Sequence, residues 1–356
     1  MRLGGRQALD SSHAFHTYLI TGGTGSFGQA MTAFLLAQTD ATIRIYSRSE
    51  LLHAQMRQRF GEARVRYCLG DVRDLARLQT ALVDVDVCFH AAALKHVDLG
   101  QYNPSEVIAT NILGTENVAS ACRTMGVQRA IFLSSDKGCH PVNVYGASKL
   151  LGQELWCRCN AYSPHRTQYA AVRYGNVATS RGSVLPRWRQ QLLETQPLTL
   201  TDPRMSRFWI TLPEAVQVAW FAAHYAPRGA SLVPHLPAYR VPALAEAVIR
   251  EYAPAGMAAV SIEHVGMRPG EKLAETLASD DELATALTYT TDGATPLYYA
   301  LPPVAPSWAM PAVPEWPAPL GGTWLQRPVE APYRSDVWSY QLTVPELQAR
   351  LREARA

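Results

Sequence analysis

The sequence lacks the features that would place it at a membrane, outside the cell or on a nucleic acid. No apolar run reaches the ~18 residues of a membrane helix, and the opening MRLGGRQALDSSHAFH has no apolar core of a secretory signal. No block of like charge stands out, and the net charge is only +3. These absences predict a cytoplasmic protein that binds neither membrane nor nucleic acid.

The cysteines show no pattern of a metal site or a disulfide framework, because no CxxC pair occurs among them. Most lie within apolar runs, which is typical of buried, reduced thiols. We therefore predict no bound metal. The six residues are Cys68, Cys88, Cys122, Cys139, Cys157 and Cys159.

Apolar residues make up 47% of the 356 residues, enough for a sizeable core. Short apolar runs alternate with segments of helical spacing, which predicts an α/β fold with a Rossmann-type, doubly wound parallel sheet. The predicted strands are 17–21, 42–46, 65–69, 85–91, 129–135 and 169–177. The predicted helices between them are 28–39, 49–60 (with Ser49 as N-cap), 74–83 and 104–125.

The alternation ends near residue 180, where basic, aromatic and proline residues become frequent. Helices are still predicted at 212–225, 241–252 and 342–355. We predict an extension at 1–16, a dinucleotide-binding domain at 17–180 with contributions from about 205–225, and a smaller C-terminal substrate-binding domain at 181–356. The last of these includes a segment rich in proline and tryptophan at 302–333.

Gly22, Gly25 and Gly28 form a G-x-x-G-x-x-G turn between the first strand and the first helix. Glycine lets the backbone turn tightly and approach a pyrophosphate, and the helix N-terminus offers free N–H groups. Three glycines alone are weak evidence, and a plain turn is the alternative. Their place inside a βαβ unit favours a dinucleotide site.

The end of the second strand bears on which dinucleotide binds. An NAD site usually has an acid there for the ribose hydroxyls, whereas this chain has Ser47 and Arg48. A hydroxyl and a guanidinium suit a 2′-phosphate, so NADP is predicted over NAD. A solvated Arg48, or Glu50 turning in for NAD, are the alternatives. Asp71 and Val72, after the third strand, are expected at the adenine.

Tyr145 and Lys149 are four residues apart and share one face of a predicted helix. An ammonium beside a phenol lowers the phenol's pKa, and the phenolate can take a proton from an alcohol while a hydride leaves the same carbon for nicotinamide. Ser134 and Ser135 lie at the end of the fifth strand, close to this site. The pattern predicts alcohol oxidation.

Asp136 and Lys137 add an acid and a base that simple alcohol oxidation does not require. Oxidation of a sugar at carbon 4 acidifies the hydrogen at carbon 5. A second acid–base pair can then remove that hydrogen and protonate a departing hydroxyl at carbon 6. The alternative is a surface ion pair of little consequence. The position at the carboxyl end of the sheet favours 4,6-dehydration.

These motifs resemble the extended short-chain dehydrogenases/reductases. Among them, lysine after the aspartate resembles the configuration-inverting UDP-N-acetylglucosamine 4,6-dehydratases of the soluble type that leads towards pseudaminic acid. The resemblance covers most of the chain and rests on TGGTGSFG, YSRSE, GDVRD, HAAALKHVD, NPSEVIATNILGTENV, SSDKGCHPVNVYGASK, RYGNVATSRGSVLP, LTDPRMSRFWIT, GMRPGEKLAETL and PYRSDVWSYQLTVPELQARL.

The resemblance implies roles for individual residues. Lys137 would be the base at carbon 5 and Asp136 the acid at carbon 6, while Tyr145 and Lys149 would act at carbon 4. The implied substrate contacts are Lys95, Ser135, Lys137, Asn176, Arg207, Arg268 and Glu271. The implied cofactor contacts are Gly22, Thr24, Gly25, Ser26, Phe27, Gly28, Ser47, Arg48, Asp71, Val72, Ala91, Ala93, Lys95, Ser134, Tyr145, Lys149 and Val177. His96 is given no catalytic role.

The chain departs from the family pattern at two places. Ser135 stands where the family has threonine and keeps a hydroxyl, and Gly138 stands where it has alanine and is expected to loosen the placement of Lys137. A 4-epimerase, a dehydratase that releases a 5,6-unsaturated sugar, and a non-catalytic NADP-binding protein stay open as alternatives. The resemblance also implies a homo-oligomer.

Overall fold

The amino-terminal half of the chain alternates short buried strands with helices. The computed structural model describes residues 15–162, 167–178, 180, 182–253, 260–302, 321–326, 329 and 332–354. Its first six strands are β1 (Thr17–Thr21), β2 (Thr42–Ser47), β3 (Val65–Leu69), β4 (Val87–His90), β5 (Arg129–Leu133) and β6 (Gln168–Val172).

The helices of this half follow the strands as predicted. They are α1 (Ser26–Gln38), α2 (Glu50–Phe60), α3 (Leu75–Leu82), α4 (Val97–Tyr102), α5 (Pro104–Val107), α6 (Gly114–Met125) and α7 (Val144–Tyr162). A π-helical stretch over Ile108–Leu113 joins α5 to α6, so helical backbone runs through the predicted segment. Ser49 is the N-cap of α2, because its side chain accepts from Leu52 N at 3.3 Å.

The second half contains shorter strands and five helices among its described residues. The helices are α8 (Val184–Leu193), α9 (Leu212–Tyr225), α10 (Val241–Tyr252), α11 (Asp280–Thr285) and α12 (Val344–Glu353). The strands are β7 (Asn176–Val177), β8 (Leu198–Leu200), β9 (Ser206–Ile210), β10 (Ser231–Pro234), β11 (Ala238–Arg240), β12 (Ile262–His264), β13 (Thr276–Ala278), β14 (Leu287–Thr290), β15 (Tyr298–Leu301), β16 (Thr323–Leu325) and β17 (Tyr333–Arg334).

The main sheet has ten strands in the order β16-β14-β15-β10-β6-β5-β4-β1-β2-β3. Strands β10, β6, β5, β4, β1, β2 and β3 are parallel, which confirms the predicted doubly wound sheet. The order reverses between β1 and β4, where a crevice for ligands is expected. Beyond β10 the pairing becomes antiparallel.

Successive residues of a strand point to opposite faces, and each face has its own apolar core. In β1, Leu19 packs with the cluster that contains Trp156 of α7, whereas Ile20 packs with the cluster that contains Met31 of α1. All four residues are fully buried. Near-continuous burial of this kind is typical of a sheet covered by helices on both sides.

The structure corrects the sixth predicted strand, 169–177. Strand β6 ends at Val172, and Asn176–Val177 forms a separate strand that pairs with β9. The chain can pass from β6 to the edge of β9 because Gly175 lies against Phe208 of β9. A Cβ on Gly175 would stand only 2.6 Å from the phenylalanine Cβ.

The proposed domain division at residue 180 does not follow the edge of the sheet. Strands β10, β14, β15 and β16 lie in the main sheet although they come from the later segment. The rest of that segment forms small sheets of the orders β11-β9-β7, β12-β8 and β13-β17. Residues 1–14 and most of 302–333 lie outside the described part. Within it, no helix is long and apolar enough to cross a membrane.

Candidate active site

A cavity of ≈ 680 Å³ lies along the carboxyl ends of the parallel strands. It includes the turn after β1, the end of β2 and the segments after β4 and β5. The sequence-predicted residues that line it are Gly22, Thr24, Gly25, Ser26, Phe27, Ser47, Arg48, Val72, Ala91, Ala93, Lys95, Ser134, Ser135, Lys137, Tyr145, Lys149 and Val177. Those outside its lining are Gly28, Asp71, Asp136, Asn176, Arg207, Arg268 and Glu271.

The glycine turn brings backbone rather than side chains to the cavity wall. Gly22 has a positive φ of 64°, and a Cβ there would stand 2.8 Å from the backbone of Ala92. Gly25 precedes α1 without a side-chain cap. Gly28 instead lets α1 pack closely, because a Cβ would lie 2.2 Å from the Gly23 carbonyl oxygen. An uncapped helix N-terminus beside an open cradle fits a pyrophosphate.

Three side chains connect the glycine turn to the end of β2. The Thr24 and Ser47 hydroxyls are 3.0 Å apart, and Ser47 Oγ lies 2.9 Å from His53 Nε2. Burial lowers the pKa of His53, which favours its neutral form. The Ser47 hydroxyl is therefore held at the cavity wall, at the place expected for the adenosine ribose.

Arg48 lies at the same end of the cavity with its side chain 52% exposed. Its Nη1 is 3.5 Å from Asp71 Oδ2, which also accepts from Arg73 Nη2 at 2.7 Å. Burial raises the pKa of Asp71, but the hydrogen bonds and charge of Arg73 outweigh this effect. The pKa therefore lies below its ordinary value. Asp71 thus holds Arg48 at the cavity without lining it. Glu50, the alternative acid, is exposed on the first turn of α2.

At the opposite end, a 3₁₀ turn over Asp136–Gly138 follows β5. The Ser135 hydroxyl donates to Asp136 Oδ1 at 2.8 Å, and Lys137 Nζ donates to the same oxygen at 3.0 Å. Asp136 is fully buried, and Oδ2 has no hydrogen-bond partner among the described residues. The interpretation as a surface ion pair is therefore wrong, because water does not reach the carboxyl group.

Burial and the charges around this turn raise the pKa of both the acid and the base. Burial raises the pKa of Asp136, and Glu275 adds to the rise while Lys137 opposes it. Burial lowers the pKa of Lys137, but the carboxylates of Asp136 and Glu275 raise it above its ordinary value. Asp136 can thus serve as a proton donor, whereas Lys137 must lose a proton before it accepts one.

Tyr145 and Lys149 both line the cavity from α7. The expected lowering of the Tyr145 pKa by the Lys149 ammonium is, however, not what the structure shows. Burial raises the pKa of Tyr145, and the cation that opposes the rise is Lys137. Lys149 Nζ donates to the Leu133 carbonyl oxygen at 2.8 Å and lies 4.7 Å from the centre of the Phe132 ring. The cation that lowers the phenol's pKa is thus Lys137 and not, as expected, Lys149.

The predicted substrate contacts divide into two groups. Val177 lines the cavity, the neighbouring Asn176 Oδ1 is buried without a partner among described residues, and Arg207 Nη1 donates to Leu273 O at 3.1 Å. Arg268 and Glu271 lie on a loop in which the Arg268 N–H donates to Glu271 Oε2 at 3.0 Å. Arg268 is exposed. The structure thus brings Arg207 close to the reacting end, 3.9 Å from Glu275, but none of the predicted substrate contacts Asn176, Arg207, Arg268 and Glu271 lines the cavity.

Sequence reasoning missed two charged residues at this end. Glu275 is 2% exposed, and its carboxylate lies 3.4 Å from Lys137 Nζ and 3.1 Å from Lys272 Nζ. Both belong to GMRPGEKLAETL, from which only Arg268 and Glu271 were chosen. A lone acid between apolar neighbours, as in LAETLA, was the available signal, because such an acid needs a buried partner.

The arrangement combines the glycine turn before α1 with four side chains that carry groups able to donate or accept a proton. Tyr145, Lys137 and the Ser135 hydroxyl face the same cavity, and Asp136 lies directly behind them. Among the described residues, no cluster of three or more His, Cys, Asp or Glu side chains could hold a metal ion. The fold and site define a nucleotide-binding α/β enzyme of the extended short-chain dehydrogenase/reductase type.

Comparisons with known proteins place the chain within that class. Residues 18–292 match the model of a family described as polysaccharide biosynthesis protein. The chain belongs to this family. An inverting UDP-N-acetylglucosamine 4,6-dehydratase of Campylobacter jejuni serotype O:2 is 42% identical over 290 residues, which are 80% of this chain and 82% of the relative.

Two further similarities bear on the alternatives. A UDP-glucose 4-epimerase of Rickettsia bellii is 38% identical over 275 residues, covering 76% of this chain and 80% of the relative. The crystal structure of Pen from Bacillus thuringiensis superposes with a TM-score of 0.83 at 31% identity, covering 96% of this chain and 98% of that one. The predicted resemblance to the extended short-chain dehydratases is confirmed.

Proposed function

We propose that the chain catalyses the 4,6-dehydration of UDP-N-acetylglucosamine with inversion at carbon 5. The product is a UDP-2-acetamido-2,6-dideoxy-L-arabino-hexos-4-ulose, and water is released. The observation that carries the proposal is the buried contact between Asp136 and Lys137, 3.0 Å apart, at the end of a cavity that Tyr145 also lines. A plain oxidation or a 4-epimerisation has no need of this additional acid and base.

The side chains supply the proton transfers. Tyr145, as phenolate, takes the proton of the carbon 4 hydroxyl. Neutral Lys137 takes the carbon 5 hydrogen as a proton, Asp136 protonates the departing carbon 6 hydroxyl, and the carbon 6–oxygen bond breaks to release water. Lys137 then returns a proton to carbon 5 on the opposite face. The proton left on Tyr145 balances the proton that Asp136 gave up.

We propose NADP as the cofactor. When bound, the dinucleotide would accept a hydride from carbon 4 and return it to carbon 6, so no net redox change results. The turn at Gly22 and Gly25 would hold its pyrophosphate, and Ser47 and Arg48 would hold the 2′-phosphate. Lys149 would leave the Leu133 carbonyl oxygen for the nicotinamide ribose. A guanidinium with a half-exposed side chain supports NADP over NAD.

The test is proton NMR of the purified protein with UDP-N-acetylglucosamine in deuterated water. A carbon 6 methyl signal, deuterium at carbon 5 and L-arabino couplings are expected. UDP-N-acetylgalactosamine as the product would mean that the chain is a 4-epimerase, a function that the Rickettsia relative's name favours. An exocyclic alkene signal would mean that no hydride returns to carbon 6.

We also propose that the protein is a homo-oligomer that acts in the cytoplasm and feeds synthesis of pseudaminic acid. Exposed apolar side chains on the helices from α4 to α7 support self-association, since large exposed apolar surface favours an interface. They include Leu99, Tyr102, Ile108, Leu113, Leu151, Leu155 and Tyr162. All six cysteines are free, as in a reducing compartment. The pathway rests on the resemblance to the dehydratases.

A further inference from the structure

Lysine is rare in this chain, and its placement is selective. Lysine and arginine together number 33, but only Lys95, Lys137, Lys149 and Lys272 are lysines. The first three line the cavity. Arginine therefore supplies nearly all the positive charge outside the cavity, and Lys272 is the one lysine that does not line it.

Lys272 has a setting that suits an ammonium better than a guanidinium. Its Nζ donates to the carbonyl oxygens of Cys139 at 3.0 Å and His140 at 3.3 Å, and it lies 3.1 Å from Glu275 Oε2. Two carbonyl oxygens accept from this nitrogen and a carboxylate lies beside it as an ion pair, a setting that suits the compact charge of an ammonium better than the planar fork of arginine. Lys272 thus ties the catalytic turn to the segment before β13.

The backbone that Lys272 holds includes a glycine and a residue in an uncommon conformation. Gly138 offers no side chain to fix the 3₁₀ turn, and His140 has a positive φ of 47°, which is uncommon for a residue with a side chain. A second bond joins the same two segments, because Asn143 Nδ2 donates to the Gly270 carbonyl oxygen at 2.7 Å. The segment 270–275 therefore acts as a clamp on the residues between Asp136 and Tyr145.

Glu275 connects this clamp to the reacting amine. One carboxylate oxygen lies 3.4 Å from Lys137 Nζ, and the other contacts Lys272. The backbone of Glu275 is fixed as well, since its N–H donates to Ser335 Oγ at 3.0 Å and its carbonyl oxygen accepts from the Ser335 N–H at 2.9 Å. The carboxylate is a rigid anchor because backbone and side chain are both held.

We propose that Glu275 is a positioning residue which, together with Lys272, clamps the catalytic turn and holds the Lys137 amino group beside Asp136. The inference rests on the proposed dehydration for its functional meaning, but the contact it describes can be measured without substrate. Lys137 Nζ then has two anionic neighbours on opposite segments. The charged and titratable groups around it are Asp136, Glu275, Arg207, Lys272, Tyr145 and Tyr239.

The experiment is competitive labelling of the ligand-free protein with trace acetic anhydride across a pH series. After hydroxylamine removes acetyl groups from tyrosine, cysteine and histidine, stable amides remain only at the four lysines and the amino terminus, so mass spectrometry resolves each site. In the wild type, Lys137 should become reactive only at a pH above that of an ordinary lysine. In Glu275→Gln the midpoint for Lys137 should fall by about one pH unit or more, because the nearby anion is gone. Exposed Lys95 reports the activity of the reagent.

Two variants separate positioning from a general loosening of the structure. Glu275→Asp keeps the charge and should restore a high midpoint at least in part. Glu282→Gln removes a neighbouring carboxylate that pairs with Arg173 at 2.9 Å and does not contact Lys137. It should leave the Lys137 midpoint unchanged. An equal fall in Glu282→Gln and Glu275→Gln would overturn the proposal.

The labelling of wild-type Lys137 still tests the proposal if Glu275→Gln does not fold. Labelling of Lys137 at a pH below that of an ordinary lysine would overturn the proposal. In turnover, Glu275→Gln should shift the acidic limb of the pH profile for carbon 5 exchange to lower pH, as the labelling midpoint shifts. If the wild type forms no dehydrated product, the proposed function fails, while the labelling still tests the contact between Glu275 and Lys137.

Discussion

The Lys149 ammonium donates its hydrogen bond to the carbonyl oxygen of Leu133, 2.8 Å away, and not to the Tyr145 phenol four residues earlier. Burial of this amine lowers the pKa of Lys149 to about 8. The fold therefore disfavours the charged form of this amine. Occupation of the cavity would give that cation a better partner, since a ribose hydroxyl can accept from it.

This burial predicts a pH dependence of stability. The unfolded chain binds the Lys149 proton more tightly than the folded chain, so between about pH 8 and the ordinary lysine pKa of 10.5 the free energy of unfolding should rise with pH. The rise is limited to about 3 kcal/mol. Urea unfolding of wild type and Lys149→Met should give a difference that grows with pH in this window, and a constant difference would contradict it.

Removal of the proposed carbon 5 base should stop dehydration without stopping oxidation. In Lys137→Ala, carbon 5 exchange in deuterated water should vanish, whereas slow reduction of added NADP should persist because Tyr145 and Lys149 remain. NMR of the sugar and the nicotinamide absorbance measure the two steps separately. Full carbon 5 exchange in this variant would exclude Lys137 as the base.

The cofactor preference should depend on Arg48. Its replacement by alanine should weaken NADP binding roughly ten-fold or more, since a hydrogen bond to a charged group contributes about 1.5–3 kcal/mol. NAD binding should change little. Arg73→Ala is the matched control, because Arg73 contacts Asp71 but does not line the cavity. Equal losses for both dinucleotides in Arg48→Ala would contradict a role at the 2′-phosphate.

The turn after β1 should not tolerate a side chain. Gly22→Ala combines a positive φ of 64° with a Cβ 2.8 Å from the Ala92 backbone. Gly126→Ala is the control, because Gly126 is in the left-handed helical conformation with a φ of 74° and has no atom within 4 Å of its Cβ position. The control should lose only about 1–2 kcal/mol of unfolding free energy, whereas Gly22→Ala should lose more and also lose NADP binding. Thermal melts with and without NADP measure both effects.

Local pattern was sufficient for strands β1 to β5, for helices α1 to α3, α9, α10 and α12, and for the chemistry that lies within one segment. The glycine turn, Ser47 and Arg48, and the pair Tyr145 and Lys149 were predicted because each motif sits at a strand end or on one helix face. The end of β6 was predicted wrongly, because it depends on the approach of Gly175 to Phe208 from a distant strand.

The sequence by itself determined the α/β class, the place of the dinucleotide and the acid–base residues after β5. Only the tertiary structure decided the direction in which the pKa of each of those residues shifts, and what anchors them. Glu275 lies 138 positions after Lys137, and no local spacing relates them. Besides burial and their mutual contact, the charges of Glu275 and Arg207 shift the pKa of this pair, and they come close only when β9 and the segment before β13 pack against the turn after β5.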